Sequence, residues 1–294
     1  MVGTQGMMFT GYKTICGKTP LIQLSEKLYA KLETYNPTGS VKDRMISHVV
    51  NKAIQDQKIN LSGGQTLCEA TSGNTGIALS AVAASLGFDC VIFMPCNMSE
   101  ERKQMMRVYG TTIIEAPAND FEEAIRMRND FLKTHSNAWS PMQFSNPDNI
   151  ECHKKITAPE ILAQVNRLGL KWSAFVHGSG TGGTIEGVRQ YCVDNLPRTK
   201  IVMTVPAESP HGIQGIGDGR DFLANPDDMD AVLEVKTDAA INRAKEFAKE
   251  TGYLVGISSG ANILAAEEYL NKQDIDGIIV TMLCDRGERY MSIY

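Results

Sequence analysis

Three short stretches carry residues whose types and spacing could do chemistry. Residues 36–44, "NPTGSVKDR", form a loop of turn formers that ends in Lys42 at the expected start of a helix. Residues 69–76, "EATSGNTG", crowd Thr71, Ser72, Asn74 and Thr75 between a strand end and a helix start. Residues 177–184, "HGSGTGGT", place Gly178, Gly180, Gly182 and Gly183 with Thr181 and Thr184 at the same kind of junction. Glycine lets a backbone approach an anion, and successive N–H groups at a helix start, aided by its dipole, can hold it. The third stretch therefore suits a phosphate. The second, richer in hydroxyl and amide groups, suits a carboxylate.

The elements that must position these loops follow from hydrophobic patterning. Continuous apolar runs at 66–70, 90–95, 111–116, 174–178, 201–208 and 277–283 read as strands. Helical patterns near 43–58, 74–86, 99–109, 120–135, 150–168, 183–194, 238–251 and 259–271 lie between them. Unbroken apolar strands alternating with helices indicate an α/β protein with parallel sheets covered on both faces. Gly87 suits a left-handed helix cap, and Ser99 an N-cap followed by acidic residues. The helix after Asn74 is apolar on most faces and should be buried, which would hold its loop rigid. "WSPMQFSNPDN" at 139–149, with two prolines and three side-chain amides, reads as a connection between domains or a loop at a cleft.

Bulk properties exclude several function classes. The chain has 294 residues, 43% of them hydrophobic, and a net charge of −5. A mildly acidic chain offers no electrostatic reason to bind nucleic acid or an anionic membrane. Cysteines at 16, 68, 90, 96, 152, 192 and 284 form no C-x-x-C pair, and the five histidines show no ligand spacing. A disulfide framework and a metal site are not expected. No apolar run is long enough to span a bilayer, and the first residues do not read as a signal peptide, so a cytoplasmic location is expected.

The glycine loop also matches G-x-G-x-x-G at Gly178, Gly180 and Gly183. A dinucleotide site would want an acid about 20 residues on, and the nearest candidate, Glu208, arrives late. A bare strand-to-helix turn is the other reading. One ligand set fits all three stretches: a phosphorylated aldehyde cofactor and an amino acid. A lysine, a phosphate cradle and a carboxylate cradle together point to pyridoxal 5'-phosphate, whose aldehyde forms an imine with lysine.

Read in order, "NPTGSVKDR", "EATSGNTGIALS", "MPCNMSEERK", "QFSNPDN", "GSGTGGT", "GIQGIG", "GISSGAN" and "CDRGERY" resemble the cysteine synthase (O-acetylserine sulfhydrylase) family, from about residue 17 onward. These are tryptophan synthase β-like, fold-type II enzymes. Most motifs are closest to the B-type, whereas "GTGGT" and "GIQGIG" are nearer the A-type. The resemblance implies two three-layer α/β domains with mainly parallel sheets and the cofactor in a cleft. The larger domain would combine 1–44 with 150–294; the smaller, 45–149, would be mobile and carry the substrate-carboxylate loop.

Roles are implied residue by residue. Lys42 would form the imine and then act as the acid–base group. Asn74 would bond the cofactor's 3'-oxygen. Gly180, Thr181, Gly182, Gly183 and Thr184 would hold its phosphate, and Ser258 would face the pyridine nitrogen. Thr71, Ser72, Thr75 and Gln143 would bind the substrate carboxylate. A serine hydroxyl, unlike an aspartate, does not demand a proton on that nitrogen, which disfavours transamination while permitting loss of a β-substituent. "GISSGAN" is otherwise a plain helix N-cap, and Cys284 either a residue near the ring or a small buried hydrophobe.

The implied reaction is β-elimination of acetate from O-acetyl-L-serine to an aminoacrylate, followed by addition of sulfide to give L-cysteine. Gln214 stands where some B-type relatives carry an arginine that meets a phosphate leaving group, which disfavours O-phosphoserine. Cystathionine β-synthase and serine/threonine dehydratase use the same scaffold, and a non-catalytic binding or regulatory module is the alternative of another class. The resemblance further implies a homodimer, with a serine acetyltransferase as a partner of A-type relatives. Between Thr19 and Glu33 the chain is short for the family, so a trimmed hairpin is expected.

Overall fold

The computed structural model describes residues 11–71, 73–217 and 223–294. In chain order the strands and helices are β1 (Leu21–Gln23), β2 (Leu28–Leu32), α1 (Lys42–Gln55), β3 (Thr66–Ala70), α2 (Asn74–Leu86), β4 (Asp89–Pro95), α3 (Glu100–Val108) and β5 (Thr112–Ala116). There follow α4 (Phe121–Thr134), β6 (Ala138–Trp139), α5 (Pro147–Cys152), α6 (Ala158–Arg167), β7 (Trp172–Gly178), α7 (Gly183–Asn195) and β8 (Lys200–Pro206). The chain closes with β9 (Ala231–Val235), α8 (Thr237–Thr251), α9 (Ile257–Lys272) and β10 (Ile278–Leu283). Two compact units result: residues 1–17 with 36–143, and 18–35 with 144–294. The boundaries expected from sequence are 44/45 and 149/150; the crossing at 143/144 lies inside the proline- and amide-rich segment 139–149.

The first unit is built on a four-stranded parallel sheet, order β5-β4-β3-β6. Side chains alternate across its strands, and both faces are buried, as a parallel sheet requires. Leu67, Cys90, Ile92 and Met94 pack with Met45, Val49, Leu79, Val82 and Met106 from α1, α2 and α3. Cys68, Ala70, Val91 and Phe93 pack with Ala124 of α4. Helix α2 is buried along most of its length and ends at Gly87 in the left-handed conformation (φ 70°), as its sequence suggested. Asp120 caps α4 by accepting from the Glu123 amide at 2.9 Å.

The second unit holds a six-stranded sheet, order β1-β2-β10-β7-β8-β9, parallel except for β1. Segment 19–33, where a trimmed hairpin is expected from sequence, forms the antiparallel pair β1–β2, with Leu21 opposite Lys31. Leu28, Ala174, Val176, Val202 and Ile279 pack under Ala261, Ala265 and Ala266 of α9, and Phe247 of α8 closes on Ala30, Leu32 and Leu283. Small residues let α8 and α9 approach: a Cβ on Gly260 would lie 2.1 Å from the Ala240 carbonyl oxygen. The single helix expected over 150–168 is interrupted by a π-turn at His153–Thr157, which packs on α7.

Among the described residues no helix is long and apolar enough to cross a membrane, and no cluster of metal-ligating side chains occurs. The described cysteines are free thiols. Burial pushes Cys68 and Cys192 up to about 12 and Cys90 to about 11. Because the folded thiols keep their protons to higher pH than unfolded ones, stability is intact at neutral pH and falls as pH rises from about 9 to about 12. A thiol reagent at mildly alkaline pH should modify exposed Cys96 in the native protein and reach Cys68, Cys90 and Cys192 only after unfolding, as read by peptide mass spectrometry.

Candidate active site

In the first unit Lys42 is the first residue of α1, and its amide donates to Ser40 Oγ at 3.3 Å. The loop before it is organised by its neighbour, Asp43, which is fully buried. The Asp43 carboxylate accepts from Thr38 N (3.2 Å), Thr38 Oγ1 (2.8 Å) and Ser40 N (3.1 Å), and from the Tyr12 hydroxyl. Burial pushes the Asp43 carboxyl above its ordinary value, against the pull of these bonds. Burial and the adjacent carboxylate push the Tyr12 phenol well up. Farther back, Asn36 accepts Gly17 N at 2.8 Å through Oδ1 and Gly39 N at 2.8 Å through its carbonyl. The loop is thus tied on both sides, and the lysine that ends it leaves a fixed backbone.

The hydroxyl-rich loop follows β3. Thr71 Oγ1 accepts Gly73 N at 3.2 Å, and Thr75 Oγ1 donates to Gln143 Oε1 at 2.6 Å. Gln143 Nε2 returns to the Ala70 carbonyl at 3.0 Å, while Gln143 N donates to Glu69 Oε2 at 2.9 Å. Gln143, 68 residues beyond Thr75, therefore meets Thr71 and Thr75 at the start of α2, beside Asn74. Ser72, assigned with them from the sequence, lies outside the described residues. Beneath them Glu69 pairs with Arg128 (2.6 Å), both buried, and Arg128 also reaches Ser140 Oγ at 3.2 Å. Neither Glu69 nor Arg128 was singled out from sequence, where each reads as an ordinary charge.

In the second unit β7 ends at Gly178, and α7 starts at Gly183. Gly182 has φ +86°, and a Cβ there would lie 2.6 Å from Ala224 N. A Cβ on Gly183 would lie 2.1 Å from Asn149 Oδ1. Asn149 occupies that space in order to donate to Thr181 Oγ1 at 3.0 Å. Thr184 Oγ1 meets His153 Nε2 at 3.2 Å, and His153 Nδ1 meets Thr157 Oγ1 at 2.9 Å. The π-turn thus brings a buried histidine onto the loop, a use to which such turns are often put. Outer ties come from Gly217 N to Ser179 O (2.8 Å) and Leu223 N to Thr181 O (3.1 Å). Glu208, the acid a dinucleotide site would need, accepts from Thr237 N at 2.6 Å at the start of α8 and is held below its ordinary value by the Thr237 side chain and that amide.

Ser258 is buried in the first turn of α9, and a Cβ on Gly215 would stand 3.5 Å from its hydroxyl. Asn262, one turn on, accepts Gly178 N at 2.8 Å and donates to the Met282 carbonyl at 2.9 Å and to Cys284 Sγ at 3.3 Å. Ser259 Oγ accepts Cys284 N at 2.9 Å. The ends of β7 and β10 are therefore locked to the start of α9, which sets the glycine loop and Ser258 in fixed relation. Asn149, His153 and Asn262 were not assigned from sequence, although the motifs quoted contain Asn149 and Asn262.

The chain belongs to the pyridoxal-phosphate dependent enzyme family, whose model matches residues 12–285. It is 40% identical to cysteine synthase B of Campylobacter jejuni, over 95% of each chain. With a Staphylococcus aureus cysteine synthase it shares 37% identity over 95% of this chain and 94% of the relative. A hydrogen sulfide-producing enzyme of Fusobacterium nucleatum superposes with TM-score 0.90 at 37% identity, covering 98% of this chain and 91% of that one. A point mutant of a hydrogen sulfide-producing enzyme, solved with an α-aminoacrylate intermediate, gives 0.91 at 37% identity, covering 97% and 91%. The O-acetylserine dependent cystathionine β-synthase of Helicobacter pylori gives 0.88 at 31%, covering 96% and 97%.

The donor sets agree with a pyridoxal phosphate dependent enzyme. The 180–184 loop contains hydroxyls and a helix start, and no carboxylate, as a phosphate dianion requires. Two variants probe these supports. Gly182→Ala forces a side chain into a left-handed residue against Ala224, and the purified protein should lose its visible cofactor band and regain it only at high added cofactor. Arg128→Met leaves Glu69 buried without its cation and should lower unfolding free energy in urea by about 3–5 kcal/mol.

Proposed function

We propose that Lys42 carries the cofactor aldehyde and that the chain is a cysteine synthase, which exchanges the acetate of O-acetyl-L-serine for sulfide to give L-cysteine. The observation that carries this reading is the meeting of Thr71, Thr75 and Gln143 at the start of α2, a carboxylate-sized cluster of hydroxyl and amide groups in the same unit as Lys42. Pyridoxal phosphate, when bound, supplies the electron sink that makes a β-substituent labile. The protein's own groups do the rest. Thr71, Ser72, Thr75 and Gln143 orient the amino acid by its carboxylate. The Lys42 amine, released as the substrate amine takes its place, removes the α-proton and later returns one. Gly180, Thr181, Gly182, Gly183 and Thr184 hold the phosphate, and Asn74 bonds the 3'-oxygen.

Ser258 offers the pyridine nitrogen a hydroxyl, so the sink stays weak enough to favour exchange at the β-carbon over transamination. Gln214, where an arginine would favour a phosphate leaving group, supports acetate as the group released. Fixed positioning and proton transfer by one lysine account for much of the rate. The separate release of acetate and uptake of sulfide makes the kinetics ping-pong. A homodimer, a cytoplasmic location and docking of a serine acetyltransferase tail complete the reading.

The Helicobacter neighbour favours a second reading, in which homocysteine is the nucleophile and cystathionine the product. Supplying O-acetylserine with sulfide or with homocysteine separates them: cysteine formed at the higher kcat/KM supports the first, cystathionine the second. Borohydride treatment should fix the cofactor on the peptide containing Lys42. Lys42→Ala should lower turnover by at least about 10²–10⁴-fold and abolish that labelled peptide. A label on another lysine would refute the assignment.

A further inference from the structure

Position 73 has no room for a side chain. Its backbone, with φ 166° and ψ −86°, is neither helical nor extended. The space a Cβ would take is filled by Arg102, whose Cδ and Nε lie 2.4 and 2.6 Å from that point, with Cζ at 3.3 Å. One turn further along α3, Met106 fills the corresponding space at Gly76, with Sδ 2.9 Å from where its Cβ would be. The face of α3 bearing Arg102 and Met106 thus lies directly on the loop and first turn of α2. Arg102 is 2% exposed and Met106 is fully buried. A guanidinium is costly to bury, and a methionine or leucine would pack against a glycine at lower cost. What distinguishes arginine here is a permanent positive charge in a region of low dielectric, where its field reaches an anion a few ångströms away.

We infer that Arg102 is a positioning residue whose charge gives the Thr71–Gly73–Thr75–Gln143 cradle its preference for a carboxylate over a neutral group of the same shape. The inference rests on the reading of that cradle as the site of the substrate's α-carboxylate. It adds the source of the selectivity. The hydroxyl and amide groups there are neutral and would accept an amide nearly as well as a carboxylate; the cation behind them would not. Gly73 is then a residue retained to admit the arginine, and Gly76 does the same for the methionine that seats the helix.

The test measures binding, not turnover. Holoenzyme is titrated with L-serine and with L-serinamide, and the perturbation of its visible absorbance gives a dissociation constant for each. The ratio of the two constants is the readout. In Arg102→Gln the preference for serine should fall roughly tenfold to a hundredfold, with serinamide binding little changed. Arg102→Lys keeps the charge and should keep most of the preference. Gly73→Ala leaves the arginine in the chain but displaces it, and should erode the ratio in the same direction as Arg102→Gln. If Arg102 only props the loop, both ligands weaken together and the ratio stays that of the wild type, which would overturn the inference while leaving the cradle assignment intact. A wild-type holoenzyme whose spectrum responds to serinamide as strongly as to serine would overturn the cradle assignment and the inference with it.

Discussion

A parallel strand cannot be followed directly by its neighbour; the chain must leave at one sheet edge and return at the other, usually through a helix. Helix starts therefore collect at the edge where strands end, and ligands of open α/β sheets bind there. Both candidate cradles in this chain are exits of that kind, β3 into α2 and β7 into α7. The donors at each are loop hydroxyls and the first N–H groups of a helix, which lack intrahelical partners by construction. The chemistry at these edges thus follows from burial: strands apolar on both faces demand covering helices, and covering helices bring their positive ends to the strand termini.

Topology alone would give flexible loops. What makes them single-valued is a set of buried polar groups, each close to a loop and, apart from Asp43, far from it in sequence. Asp43 gathers the donors of Thr38, Ser40 and Tyr12. Asn149 and His153 hold Thr181 and Thr184. Asn262 joins three backbone segments at the ends of β7, β10 and α9. These groups also explain two glycines of the 180–184 loop. Gly182 is required by its positive φ and by the nearness of Ala224, Gly183 by the amide of Asn149.

The fold was legible in proportion to how far burial shaped composition. Strands β3, β4, β5, β7, β8 and β10 are apolar runs, and their sequence-based bounds agree with the structure to within a residue or two. Strand β2, "LYAKL", escapes such a reading because Lys31 interrupts the run; in the structure that lysine is buried and held by Glu160 and the Thr19 carbonyl. Strand β9 escapes it for a different reason: it is an edge strand whose exposure alternates, and "AVLEV" is too short for alternation to register. At the site, the loops announced themselves through glycine and hydroxyl clusters, whereas their supports did not. Nothing in "SNPDN" says that its last asparagine will reach Thr181, because that contact depends on the path of α5 and α7 and not on any local pattern.

The supports share a thermodynamic oddity. Asp43, the Glu69–Arg128 pair and Arg102 are charged groups removed from water, and apolar residues of similar volume would often be neutral or stabilising in their places. A hydrophobic contact is non-directional and would let each loop settle in several ways. A carboxylate with several fixed donors, or a guanidinium on a glycine, admits one arrangement or incurs the full cost of an unsatisfied charge. Stability is thus exchanged for a defined geometry at the loops proposed to hold the reacting amino acid.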